Sequence, residues 1–315
     1  MKYDRSFTIR KLTRAIPSFF IKKDMPDLSL ADAYARCEAL SRSHYENFPV
    51  ARLVPKAIRP HVSAVYAFAR TADDIADEAP DDPAQTNEVR LAGLARMNAQ
   101  LDAVESGAPL DAATQWIFLP VAHTLKKFDI PVQLFRDLLS AFAQDVTLKR
   151  YETFADVLDY CRRSANPVGR LVLLLHGFRD DERFAMSDAI CTALQLANFW
   201  QDVAVDWKKN RIYIPAEDRR REGVEESDFA APLANESLRR CLRFQVERTQ
   251  QIFDMGRPLP GTLPFPLSIE IRATWYGGAA ILQKIAAQDF DTLAGRPAIG
   301  TWDKIRLLFK ALLAK

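Results

Sequence analysis

Glycine is scarce in this sequence: 11 residues out of 315. A Rossmann-type sheet or a barrel of this length spends more glycine on tight turns and phosphate loops. No G-x-G-x-x-G occurs, so there is no glycine fingerprint for a nicotinamide cofactor. Cysteine is also sparse. Cys37, Cys161, Cys191 and Cys241 are far apart and form no C-x-x-C, which argues against a zinc site or a disulfide framework and suits a reducing cytoplasm. Long apolar runs are missing too. The run at 171–175 soon meets His176, Gly177 and Arg179, well short of a bilayer span. The first residues include Lys2, Asp4 and Arg5 and lack the apolar stretch of a signal peptide, so the expected location is cytoplasmic. Forty-three Lys and Arg against 41 Asp and Glu leave a formal net charge of +2. That balance sets up no field for nucleic acid.

What remains is helix. Hydrophobic residues make up 48% of the chain, enough for a substantial core. Apolar periodicity predicts helices over 28–45, 59–77, 84–105, 112–128, 131–147, 154–164, 168–178, 184–206, 233–255 and 266–290. Pro60 is acceptable in a first helical turn, and Pro80-Asp81-Asp82-Pro83 stops the second helix. The fold class expected is therefore all-α. A short strand is conceivable only at 211–214. The mixed charges of 216–228 suggest a solvated loop. The tail, WDKIRLLFKALLAK from Trp302 to Lys315, is basic and amphipathic. It fits a last helix docked on the core, and it also fits a helix lying on a membrane surface.

Two acidic clusters stand out. Residues 64–78 read AVYAFARTADDIADE. Asp73 and Asp77 are four apart, so on a helix they share a face about 6 Å from each other. Asp74 and Glu78 form a second like-charged pair. Such spacing destabilises an isolated helix. Either the carboxylates sit in solvent at a helix end, or they bind a divalent cation; Mg²⁺ takes carboxylate oxygens together with water and phosphate. Tyr66 and Arg70 fall near the same stripe, and Arg70 could pair with the carboxylates or with a diphosphate. The second cluster is Asn198, Asp202 and Asp206, every fourth residue of ANFWQDVAVDW. Its polar groups are embedded among Phe199, Val203 and Val205, where unpaired carboxylates are costly. Lys208, Lys209 and Arg211 follow at once, as if to receive a polyanion. The bland alternative is a polar helix edge with i,i+4 hydrogen bonds. Two metal-binding helices facing each other across an apolar cavity would pull diphosphate from a greasy substrate. The histidines (His44, His61, His123 and His176) show no metal spacing and read as structural. Gly277-Gly278 inside a helix costs stability, which suggests either close packing or cavity space.

These motifs, in this order, resemble the squalene/phytoene synthase family from about Ser41 to Arg296. The first aspartate motif matches Asp73-Asp74-Ile75-Ala76-Asp77, and the second matches Asn198 through Asp206. The serine-rich diphosphate segment matches Ser41-Arg42-Ser43. The Tyr–Arg approach matches Tyr66 and Arg70, the mid-chain tyrosine matches Tyr160, and the Arg-x-Tyr-x-Pro lid segment matches Arg211 to Pro215, including Tyr213. Two departures are visible: Asn166-Pro167 replaces a Gly-containing pair, and Gln201 stands where many members carry Arg. With SHYENFPV and SANPVG, the pattern looks like the hopanoid-associated subgroup, which is similar to hydroxysqualene synthase.

The resemblance implies one class I isoprenoid synthase domain over 1–315 with a central apolar cavity, an arm at about 1–27 and a tail at about 302–315. It implies Mg²⁺ on Asp73, Asp77, Asn198, Asp202 and Asp206. Ser41, Arg42, Ser43, Arg70, Gln201, Lys208, Arg211 and Tyr213 would meet diphosphate, and Tyr66 and Tyr160 would take part in catalysis. Arg296 is a further candidate to reach the site. The implied substrate is presqualene diphosphate or a related isoprenoid diphosphate, handled without a nicotinamide cofactor. The implied partners are the condensing enzyme and a downstream reductase of the pathway, with peripheral contact at the inner face of the cytoplasmic membrane.

Overall fold

The computed structural model describes residues 28–44, 54–77 and 86–313, apart from the side chains of 43 and 44. Thirteen α-helices lie in this part of the chain: α1 (Leu30–His44), α2 (Arg59–Ala76), α3 (Asn87–Ser106), α4 (Gln115–Phe128), α5 (Gln133–Thr147), α6 (Phe154–Ser164), α7 (Asn166–Leu175), α8 (Asp181–Gln201), α9 (Val203–Lys208), α10 (Ala216–Glu222), α11 (Glu236–Gly256), α12 (Leu267–Ala287) and α13 (Thr301–Leu313). No helix among the described residues is long and apolar enough to cross a membrane. Glu78 and the Pro80–Pro83 stop lie outside the described residues.

Local chemistry sets several helix ends. Thr153 and Asp156 form a reciprocal capping box at the start of α6. Asp180 accepts from the Arg183 N–H at the start of α8, and Asn235 accepts from the Leu238 N–H at the start of α11. Each satisfies a backbone donor that the helix leaves orphaned. Pro120 lies inside α4 and cannot donate to the carbonyl of Trp116. The Cys37 thiol donates to that carbonyl instead, at 3.4 Å, joining α1 to α4.

The core has two main parts. One is built from α2, α3, α4, α5 and α7 around Phe68, Phe118 and Phe135. The other gathers α6, α8, α11 and α12 around Trp200, whose indole N–H donates to Thr249 at 2.8 Å. Helix α7 contributes Leu171 and Leu174 to the first part and Leu173 to the second. The acidic clusters ride on α2 and on α8–α9, one in each part.

Three expectations are corrected. The helix expected over 184–206 begins earlier, at Asp181, and breaks at Asp202, which caps both α8 and α9. The region 216–228 is not a solvated loop: it forms α10 and a 3₁₀ turn (Glu226–Ala230). Most of its charges are exposed, but Asp218 and Arg219 are buried. Buried Asp218 accepts from Gln245 at 2.8 Å and from Arg248 at 2.7 Å. The short strand expected at 211–214 reduces to one parallel bridge, Arg150 to Ile212, among the described residues. The Ile212 N–H donates to the Lys149 carbonyl at 3.0 Å, while the Arg211 N–H turns back to the Asp206 carbonyl at 2.8 Å.

Candidate active site

Helix α2 carries Tyr66, Arg70, Asp73 and Asp74, and Asp77 follows as its C-cap. Asp77 has left helical geometry (φ −66°, ψ 144°), while its N–H still closes onto the Asp73 carbonyl at 2.8 Å. The pair is therefore not two steps along one helix face, as spacing alone implied, but a helical residue and the cap that follows it. Arg70 bridges to Asp74 at 2.5 Å and to Asp73 at 3.5 Å. Burial, with the neighbouring Asp77 charge next, pushes the Asp73 carboxyl up to about 6.

The second cluster sits at the α8–α9 break. The Asn198 amide donates to Asp202 at 2.9 Å. Arg296, from the loop before α13, closes on both Asp202 oxygens. Asp206 has no such partner, and burial together with the Asp202 charge pushes it up to about 7. Lys209 and Arg211 only partly oppose this.

Between the clusters stands a residue that the sequence reading missed. Asp145, near the end of α5, accepts from the Tyr160 hydroxyl at 2.6 Å and from the Tyr213 hydroxyl at 3.4 Å. Its backbone carbonyl accepts from Arg211 and Lys149, both at 3.1 Å. Its charge adds a little to the upward push on both Asp73 and Asp206, after burial and the nearer charges. Its own carboxyl is raised by burial, which the Tyr160 hydrogen bond opposes. Asp145 in AFAQDVT has no second carboxylate at helical spacing to mark it, and it is one of several charges on or next to α5, with Arg136, Asp137 and Lys149. The rings around it form an aromatic wall. Tyr213 stacks on Phe199 at 3.7 Å and on Tyr151 at 5.6 Å, and Tyr160 packs edge-on to Tyr151.

An apolar cavity of about 400 Å³ opens beside the second cluster. Its walls are Leu194, Ala197, Asn198 and Gln201 of α8, Gly277 and Ile281 of α12, and Leu307 and Leu308 of α13, with Arg296 at its edge. The two glycines of α12 have different roles. A Cβ on Gly278 would lie 2.3 Å from Phe253, so Gly278 permits close helix packing. A Cβ on Gly277 would meet nothing nearer than Ile299 at 4.0 Å, so Gly277 keeps the cavity open.

The other expected site residues are less central. Gln201 donates its amide to the Pro297 carbonyl and so ties the Arg296 loop to α8. Tyr66 influences Arg70 and is half-buried. Ser41 is buried on α1, Arg42 is exposed and pairs with Glu38, and the Ser43 side chain lies outside the described residues. Lys208 is exposed at the end of α9.

Among the described residues no three His, Cys, Asp or Glu side chains gather tightly enough to hold a metal ion by themselves. The donor set nevertheless suits a hard dication. All its donors are oxygens, and two of its carboxylates are held high by burial and like charge. Mg²⁺ ordinarily takes one or two carboxylates and completes its shell with water and phosphate oxygens.

Comparison with known proteins agrees with this architecture. Residues 40–303 match the family described as squalene/phytoene synthase. The chain is 32% identical over 247 residues to the hydroxysqualene synthase of Rhodopseudomonas palustris, covering 78% of this chain and 80% of that one. It is 29% identical over 272 residues to the phytoene synthase of Cereibacter sphaeroides, covering 85% of this chain and 76% of that one. The crystal structure of squalene synthase HpnC from Alicyclobacillus acidocaldarius superposes with a TM-score of 0.75 at 39% identity, covering 83% of this chain and 95% of that one. With one acidic motif in each part of an all-helical core, the chain belongs to the squalene/phytoene synthase family.

Proposed function

We propose that this protein ionises presqualene diphosphate with the help of Mg²⁺ and adds water to the rearranged cation, giving hydroxysqualene. The observation that carries the reading is the pair of acidic motifs, one at the end of α2 and one at the α8–α9 break, with an apolar cavity lined by Asn198 and Arg296 beside the second. Carboxylates next to an apolar cavity suit a polyanionic leaving group with an apolar tail. The similarity to hydroxysqualene synthases at 32% and 36% identity supports presqualene diphosphate as the substrate.

Asp73, Asp77, Asn198, Asp202 and Asp206 would hold Mg²⁺, which when bound supplies positive charge to the departing diphosphate. Arg70 and Arg211 stand close enough to the carboxylates to share that anion. The carbon–oxygen bond of the substrate breaks, and diphosphate leaves with the electron pair. The cyclopropylcarbinyl cation expands and reopens to an allylic cation. Water adds to it and loses a proton, giving the alcohol. The Tyr151, Tyr160, Phe199 and Tyr213 rings pack on one another around Asp145 and keep bulk water from that carboxyl. Tyr160, held neutral well above its ordinary range by burial and hydrogen-bonded to Asp145, orients that carboxylate.

The alternative is head-to-head condensation of two prenyl diphosphates, favoured by the similarity to phytoene synthases. A non-catalytic assembly role is a second alternative. One experiment separates them. Purified protein with Mg²⁺ and no NADPH is offered presqualene diphosphate, farnesyl diphosphate or geranylgeranyl diphosphate in separate tubes, and products are read by mass spectrometry. Hydroxysqualene from presqualene diphosphate alone supports the proposal. Presqualene diphosphate or phytoene from the other tubes refutes it in favour of condensation, and no product in any tube refutes catalysis of this class.

A further inference from the structure

Glu270, in the first turn of α12, is only 9% exposed, and its Oε1 has no hydrogen-bond partner among the described residues. Burial pushes its carboxyl up to about 7. A buried carboxyl in this condition is costly to keep.

Helical geometry says where it faces. The α12 residues that line the apolar cavity are Ala273, Thr274, Gly277, Gly278 and Ile281. At 100° per residue they span an arc of about 140°, and Glu270 falls near its middle, one turn below Ala273 and Thr274. The Thr274 hydroxyl in that wall is already satisfied by the Glu270 carbonyl at 2.9 Å. Around this level the wedge between α8, α12 and α13 holds buried side chains. Leu267, on the turn below Glu270, and Ala311 of α13 are exposed by 1 and 0%. Arg272 donates to the Ala311 carbonyl at 3.0 Å and ties the two helices together there.

The other end of the cavity can be placed on the same helix. Arg183, near the start of α8, donates to Thr262 just before α12. A Cβ on Gly278 would lie 2.7 Å from Leu194. The two helices therefore run in the same direction, and Ile281 lies about level with Asn198 of the second acidic cluster. From Ile281 back to Glu270 is eleven residues, about 16 Å of helix axis. An isoprene unit adds four bonds of about 1.5 Å, roughly 5 Å when extended. Three units fit in that length, and a fourth meets the carboxyl.

We propose that Glu270 forms the floor of this cavity and limits the isoprenoid tail to three units, admitting farnesyl-derived tails and excluding geranylgeranyl-derived ones. The assignment rests on the isoprenoid diphosphate reading of the site. Length and polarity act together. A fourth unit would press its apolar end onto a buried carboxyl and offer it no hydrogen bond in return.

The test is isothermal titration calorimetry of the full-length protein in Mg²⁺ with two slowly ionising analogues, farnesyl thiodiphosphate and geranylgeranyl thiodiphosphate. Wild type is compared with Glu270→Ala and Glu270→Val, which shorten the floor, and with Glu270→Gln, which keeps its size and polarity. Binding of the farnesyl analogue reports that each variant is folded. The expected result is a preference of at least about tenfold for the farnesyl analogue in wild type and in Glu270→Gln. The two shortened variants should lose that preference by binding the longer analogue more tightly. No preference in wild type, an unchanged preference in both shortened variants, or its loss in Glu270→Gln as well, overturns the proposal. Binding of neither analogue to wild type overturns it together with the isoprenoid reading. The expected pattern with no product from presqualene diphosphate would support the floor and refute only the reaction proposed for the site.

Discussion

Replacing Asp206 by Asn should make the metal-free protein more stable while abolishing turnover. The wild-type carboxyl is moved from 3.8 to about 7 by burial and by Asp202. Each factor of ten in proton affinity corresponds to about 1.4 kcal/mol, so the roughly three factors of ten bound the strain of the ionised group at about 4 kcal/mol. The amide keeps a desolvation cost of about 1–2 kcal/mol of its own, leaving a net gain of about 2 kcal/mol at pH 8. For a chain of this size that is a rise in melting temperature of about 3 °C. The sign follows from linkage. A carboxyl with a raised folded pKa leaves stability whole below its ordinary value of 3.8 and removes it as pH rises through about 7. The gain should therefore be largest at pH 8 and small at pH 5. Differential scanning fluorimetry in EDTA at both pH values measures it. Adding Mg²⁺ and diphosphate should then raise the wild-type melting temperature more than that of the variant. An unchanged or lower melting temperature for Asp206→Asn at pH 8 in EDTA would refute the argument that Asp206 is a strained, cation-seeking carboxylate.

Tyr160→Phe removes the 2.6 Å hydrogen bond to Asp145. Turnover should drop by about 10–100-fold and stability by about 1–3 kcal/mol, measured by product formation and urea unfolding. Gly278→Ala should cost about 1–3 kcal/mol, because its Cβ meets Phe253 at 2.3 Å. Gly277→Val should instead leave melting nearly unchanged and slow turnover by filling the cavity, so equal effects at the two glycines would contradict the division of roles drawn between them. His61 is lowered to about 4, by burial first and then by Lys127 and His123. The stability it contributes is present above about 6.5 and lost as pH falls toward 4. A melting profile across that window should flatten in His61→Gln, and an unaltered slope would show that this histidine is not the group being titrated.

The sequence by itself determined the helical class, because apolar spacing and stops such as Pro80–Pro83 are local signals that tertiary contacts did not override. It also marked Asp73, Asp202 and Asp206, since residues four apart on a helix advertise a shared face without knowledge of the partner. It could not show that Asp202 stands at a helix break, where Arg296, 94 residues away in sequence, closes on it. Nor could it find Asp145, whose role comes from hydroxyls at positions 160 and 213 and from charges at 73 and 206. His61 and His123 looked scattered, yet Tyr34 accepts or donates to both at 2.9 Å. The outward face of α13 was ambiguous for the same reason. An amphipathic pattern states that one side is apolar, but only the packing of α12 beneath Leu307 and Ala311 decided which apolar residues were left facing out.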